Sequence, residues 1–62
     1  MTNRLIRLPQ VEAITGYKRS SIYRLVANNE FPAPVKIGKR ASAWVEDEVY
    51  DWVTVRIQEA RQ

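Results

Sequence analysis

The chain has 62 residues and a formal net charge of +3, and it contains no cysteine and no histidine. These absences exclude disulfide bonds, thiolate chemistry, imidazole bases and the usual zinc ligands. The apolar runs are two or three residues long, far short of the ~20 that a membrane span needs, and the opening segment Met1–Arg7 lacks the apolar stretch of a signal peptide. The sequence therefore predicts one soluble, cytoplasmic domain over residues 1–62, with no cofactor, metal site or membrane contact.

The charged residues are separated along the chain. Residues 1–40 carry eight cations and two acids, a net charge of +6, whereas residues 41–62 carry two cations and five acids, a net charge of −3. A polyanion would be attracted by the first two-thirds of the chain and repelled by the last third.

A short first helix is predicted from Pro9 to Gly16. Proline suits the first helical position, where its missing N–H has no intrahelical partner, and Gly16 suits the left-handed residue that ends a helix. The residues on the predicted inner face, with the apolar segment that precedes them, are Leu5, Ile6, Leu8, Val11, Ile14 and Thr15.

A second helix is predicted from about Arg19, after a tight turn. Ile22, Leu25 and Val26 fall on one face at i, i+3 and i+4, and the remaining faces are polar and basic. The run Phe31–Pro34 ends this helix, because each proline forces its predecessor into an extended conformation.

A β-hairpin and a third helix follow. Val35–Ile37 and Arg40–Trp44 are predicted strands around Gly38-Lys39, with Gly38 expected to take the positive φ of a tight turn. The third helix is predicted from about Glu46 for roughly four turns, with its apolar face on the domain's own core. That face comprises Val45, Val49, Trp52, Val53, Ile57 and Ala60. The predicted fold is mainly α with a small β-hairpin, in the order helix, turn, helix, β-wing, helix.

Candidate DNA contacts cluster at the start of the second helix and on the hairpin. The helix residues are Lys18, Arg19, Ser20, Ser21, Tyr23 and Arg24, and the hairpin residues are Lys36, Lys39 and Arg40. Arginine can pair bidentately with guanine, and lysine or serine can hold phosphate. Two plainer interpretations stay open: the helix residues are ordinary solvated side chains, and the hairpin cations protect an edge strand from aggregation.

Other chemistry is weakly indicated. Trp44 and Trp52 could stack on bases, but both fall where the apolar pattern requires core. Four acids near the start of the third helix complement its dipole and have no accompanying base or nucleophile; they are Glu46, Asp47, Glu48 and Asp51. We therefore expect no enzyme activity.

The ordered motifs of the chain resemble the AlpA family of prophage regulators, from about Leu5 to Ile57. The matching residues are Leu8-Pro9-Gln10-Val11, Thr15-Gly16, Arg19–Leu25, Phe31–Gly38, Arg40 and Trp44. The segment Phe31–Lys36 also resembles lambda-type excisionases, relatives of the MerR-like winged helix-turn-helix group.

The resemblance implies a winged helix-turn-helix protein that binds promoter or attachment-site DNA. It implies a recognition helix over Arg19–Asn28, which adds Asn28 to the candidate contacts, and a wing over Val35–Trp44. Two departures concern helix capping: Lys18 stands where relatives often have serine, and Leu8 before Pro9 offers no capping oxygen.

Three functions remain open at this stage. The first is a DNA-binding transcriptional regulator of a prophage or mobile element, associated with the nucleoid. The second is an excision factor that bends attachment-site DNA and assists a phage integrase, and the third is a protein-interaction module that uses the last helix. Because one short helix contacts few base pairs, we expect several copies to assemble on double-stranded DNA.

Overall fold

The structure is a computed structural model that describes residues 4–62, so Met1–Asn3 of the predicted domain and opening segment lie outside the described residues. The elements in chain order are β1 (Leu5–Ile6), α1 (Leu8–Thr15), α2 (Arg19–Ala27), β2 (Val35–Gly38), β3 (Ala41–Val45) and α3 (Glu46–Ala60). This arrangement of helices around a small hairpin confirms the predicted winged helix-turn-helix class. None of the helices within the described residues has the length and apolar character needed to cross a membrane.

The sheet has three antiparallel strands in the order β1-β3-β2. Ile6 of β1 lies opposite Trp44 of β3, and both side chains are buried. The sequence analysis treated this first segment only as an apolar lead-in to the first helix. A two-residue strand is too short to show alternation, and only its pairing with β3 defines it.

The hairpin turn differs from the prediction at Gly38. The turn is formed by Lys39 and Arg40, while Gly38 is the last residue of β2 and pairs with Ala41. Within residues 4–62, positive φ occurs only at Gly16 and Asn29, so the expectation for Gly38 is wrong. An irregularity in the register between Lys36 and Gly38 accommodates the turn instead.

The hydrophobic core takes residues from β1, β3, all three helices and the segment after α2, but none from β2. Its buried members are Ile6, Val11, Ile22, Phe31, Trp44 and Val49. Each helix therefore contributes one fully buried side chain, in agreement with the single apolar face predicted for each. This shared core fixes α2 relative to the hairpin, which matters for the site described below.

Helices α1 and α2 both begin without a side-chain cap of the usual kind. Helix α1 starts at Leu8, so Pro9 occupies the second helical position and not the first. The backbone N–H of Arg7 donates to Oε1 of Gln10 at 2.7 Å, which supplies one half of a capping box. Gly16, at φ 77°, ends the helix as predicted. At α2, Lys18 provides no side-chain cap, as its residue type implied.

Helix α2 ends in a Schellman motif. The N–H of Asn29 donates to the carbonyl of Val26, and the N–H of Glu30 donates to the carbonyl of Leu25. Asn29 takes the left-handed conformation that this motif requires, with φ 58°. The chain therefore turns sharply away from α2 before the segment that leads to the hairpin.

Helix α3 follows the predicted stripe only in its first half. Val49 is buried and Trp52 and Val53 are half-buried, but Ile57 is 45% exposed and Ala60 is exposed. The expectation that the whole stripe packs on the domain's own core is therefore wrong. Periodicity identifies the apolar face of a helix, but it does not say how far along the helix the packing partners extend.

Candidate nucleic-acid interface

The exposed face of α2 carries most of the predicted contact residues. Ser20, Tyr23 and Arg24 are exposed on the side opposite the buried Ile22. Ser21 is half-buried, because it lies beside the inner face, and is less available than the sequence analysis expected. Arg19, Lys18 at the start of the helix and Asn28 at its end are also exposed.

The hairpin carries one cation on β2 and two in its turn. Lys36 pairs with Ser42 across the hairpin, and Ser42 is two residues from Trp44, so these three side chains share one face of the sheet. Lys39 and Arg40 form the turn, and all three cations of the hairpin are exposed. The tip of the hairpin is therefore cationic.

A cationic cleft lies between the start of α1, the start of α2 and the hairpin, with a volume of about 240 Å³. Its lining residues are Arg7, Leu8, Pro9, Arg19, Tyr23, Arg40, Ser42 and Trp44. Three arginines line this cleft, one before α1, one at the start of α2 and one in the hairpin turn, and its lining contains no acid. Such a cleft attracts an anion such as a backbone phosphate, which arginine binds through two parallel hydrogen bonds.

Tyr23 connects the exposed face of α2 to the hairpin. Its ring lies 6.2 Å from the ring of Trp44, and the guanidinium carbon of Arg19 lies 5.9 Å from its centroid. The Tyr23 side chain is nevertheless 43% exposed, so one part of it packs while the rest is accessible. Tyr23 therefore helps to set the position of α2 against β3 as well as being a candidate contact.

The two tryptophans hold the segment between α2 and the hairpin. Nε1 of Trp44 donates to the carbonyl oxygen of Pro32 at 3.0 Å, and Nε1 of Trp52 donates to that of Glu30 at 2.7 Å. Trp44 is 1% exposed, which confirms its assignment to the core. Trp52 is half-buried and packs edge-on against Phe31, so it is a structural residue at the border of the core.

Arg7 lines the cleft, although the sequence does not mark it as a candidate contact. The sequence does show that Arg7 belongs to the cationic part of the chain. Its proximity to α2 and the hairpin, however, follows from the pairing of β1 with β3, which sequence patterns do not record. Arg4, unlike Arg7, is paired with an acid, since its guanidinium lies 3.9 Å from the carboxylate of Glu46. Of the predicted contacts, Arg19, Tyr23 and Arg40 line the cleft, and the others do not.

Within the described residues, the acids near the start of α3 are not gathered into a cluster that could hold a metal ion. Residues 4–62 contain no group of three or more potential metal ligands. Glu46, Asp47 and Glu48 occupy the first turn of α3, where they complement the helix dipole.

Comparisons with known proteins give a family match and a phage relative. The chain matches the family described as Prophage CP4-57 regulatory protein (AlpA) over residues 4–57. It is also 41% identical, over 54 residues, to a protein of Enterobacteria phage P4 described as "Uncharacterized protein ORF88"; the match covers 87% of this chain and 61% of that relative. The chain thus spans about three-fifths of the relative's length. No solved structure gives a significant match. With a family match over nearly all of its residues, this chain belongs to the AlpA family of prophage regulatory proteins.

Proposed function

We propose that this protein binds double-stranded DNA in a sequence-specific manner and regulates transcription in a prophage or related mobile element. The observation that carries the proposal is the cationic cleft, where Arg7, Arg19 and Arg40 surround the junction of α2 and the hairpin. The family's description as regulatory supports the regulatory part of the proposal.

In this proposal α2 enters the major groove. Arg24 and Ser20 extend from its exposed face toward the edges of the bases, and Tyr23 contacts the DNA on the side of the helix nearest the hairpin. The hairpin then lies over the adjacent backbone, where Lys39 and Arg40 bind phosphates or enter the minor groove. The three arginines of the cleft bind neighbouring phosphates between these two elements.

The test separates residues that contact bases from residues that contact phosphates. We expect Arg24→Ala to weaken binding to a duplex selected from a random pool by ~1–3 kcal/mol, with a smaller effect on a shuffled duplex. Lys39→Ala should weaken binding to both duplexes about equally, because a phosphate contact carries no sequence information. Fluorescence anisotropy titrations measure both affinities. An unchanged ratio of selected to shuffled affinity in Arg24→Ala would show that α2 does not recognise the bases as proposed.

The resemblance to lambda-type excisionases supports a second candidate, an excision factor that bends attachment-site DNA and assists an integrase. Both candidates use the same interface, and they differ in what the bound DNA does. A circular-permutation mobility assay would show a position-dependent shift for a bending factor. A regulator that acts through occupancy alone would give the same mobility at every position of the site.

A further inference from the structure

A second groove lies on the other side of the hairpin from the cationic cleft. It runs between the hairpin and α3 and has a volume of about 660 Å³, within the range of ~300–1,000 Å³ found for ligand pockets. Ser42 and Trp44 border the cationic cleft, whereas Val45, one residue further along, borders the second groove. Since successive side chains alternate across a strand, the two sites use opposite faces of β3.

The floor of this groove is apolar and accessible. Val35 is 41% exposed and Val55 is 50% exposed, and Val45 and the half-buried Trp52 lie between them. An apolar surface of this kind, bordered by charged residues, is typical of a binding site for another molecule.

The rim of the groove is acidic. Glu48 and Asp51 are the charged residues that line it, and both are exposed. The ion pairs found within residues 4–62 join other residues, so neither of these carboxylates is neutralised by a cation of the described chain. We call this site, formed by Val35, Val45, Glu48, Asp51, Trp52 and Val55, the acidic groove.

The charge of the groove indicates the chemistry of its occupant. Two unpaired carboxylates repel nucleic acid and favour a cationic ligand, and the apolar floor requires apolar side chains on that ligand. Addition of an extended strand to β2 is disfavoured, because prolines precede β2 and its register is irregular between Lys36 and Gly38. A helix that inserts side chains into the groove satisfies both requirements.

We propose that the acidic groove is a docking site for an amphipathic helical segment of a second protein, with apolar side chains flanked by lysine or arginine. If the cationic cleft binds DNA as proposed above, its position on the opposite face leaves the groove open for this partner. The groove itself does not depend on that function, and its ligand can be tested without DNA.

The experiment uses two synthetic helical peptides that differ only in charge. The probe peptide carries leucine at i, i+3 and i+4 with lysine at the flanking positions, and the matched peptide has glutamate at every lysine position. Titration of each into ¹⁵N-labelled protein, followed by amide chemical shifts, should show saturable shifts at Ala33, Val35 and residues 45–55 for the lysine peptide alone. Shifts centred on residues 19–24, or equal binding of the glutamate peptide, would overturn the proposal.

Variants test the acidic rim directly. Combining Glu48→Lys with Asp51→Lys should weaken the lysine peptide at least tenfold, whereas Glu59→Lys, a charge reversal on α3 outside the acidic groove, should change its affinity by less than twofold. Because Glu48, Asp51 and Glu59 are all exposed, circular dichroism melting should confirm that the variants remain folded.

Self-association is the competing occupant. Sedimentation equilibrium of the free protein should show a monomer. If a dimer were found, Val55→Asp would test whether it forms through the groove, because a groove-mediated dimer should dissociate in this variant. Such a dimer would mean that a second copy fills the groove, and the proposal of a separate basic partner would be wrong.

Discussion

The cationic cleft makes a quantitative prediction for the salt dependence of DNA binding. The cations in the cleft, on the exposed part of α2 and on the hairpin are Arg7, Lys18, Arg19, Arg24, Lys36, Lys39 and Arg40. If all seven neutralised phosphates, the slope of log affinity against log salt would approach −6, since each neutralised phosphate contributes about −0.9. With Arg24 engaged on a base as proposed, six cations remain, and we expect a slope of about −5.4, which means a loss of affinity of roughly 1,800-fold between ~50 and 200 mM salt.

Arg7→Ala isolates the contribution of the cleft residue that sequence patterns did not identify. The Arg7 backbone N–H, and not its side chain, donates to Gln10, so the substitution should leave the start of α1 intact. We expect the slope to become less negative by about 0.9, with equal weakening on selected and shuffled duplexes.

The matched control is Arg61→Ala. Arg61 is an exposed cation at the end of α3, outside the cleft and the hairpin, and its removal should leave the slope unchanged. Anisotropy titrations over a series of salt concentrations measure all three proteins. The reasoning would be refuted by a parent slope within about 1 of zero, or by equal changes in Arg7→Ala and Arg61→Ala.

Three further predictions concern stability and assembly. Trp44→Ala should lower the free energy of unfolding by ~3–5 kcal/mol. Trp52→Ala should lower it by only about 2 kcal/mol, because Trp52 is half-buried. Chemical denaturation measures both values, and the reverse order would contradict the packing described. Gly16→Ala should lower the free energy of unfolding by ~1–2 kcal/mol, because φ is 77°, and Gly16→Asn should lower it less. No atom lies near an added Cβ, so the loss has a conformational and not a steric cause. Equal melting temperatures for the two variants would argue against this cause. The protein should be largely monomeric when free, and footprinting on the natural site should show stepwise, cooperative occupancy by at least two copies. The reason is that a single module of this kind buries only ~600–1,000 Å² of its surface on DNA. Full specificity from one copy would contradict this expectation.

Helix periodicity and residue conformation predicted much of the fold from the sequence alone. The i, i+3, i+4 pattern at Ile22, Leu25 and Val26 correctly identified the inner face of α2, and therefore the exposed face that carries the candidate contacts. Gly16 ended α1 as expected, because few other residues adopt positive φ without cost. These features depend on neighbours within one or two turns, which sequence patterns record directly.

The features that sequence patterns missed depend on distant contacts. Arg7 joins the cleft because Ile6 pairs with Trp44, a contact between residues 38 positions apart. The exposure of Ile57 depends on where the rest of the molecule ends, which the helical pattern does not encode. The acidic groove likewise requires α3 and the hairpin to be placed against each other in space.

The two indole hydrogen bonds have a consequence for the energetics of association. They fix the segment between α2 and the hairpin at Glu30 and Pro32, so the distance between the two elements is already set in the free protein. If α2 and the hairpin bind DNA as proposed, little conformational entropy is lost on binding, and their fixed spacing resists adjustment to a duplex of different groove geometry. Any mismatch must be taken up by bending or twisting of the DNA, at a cost that depends on the flexibility of its base steps. Sequences that deform easily between the two contact points would therefore be preferred even where no side chain touches a base.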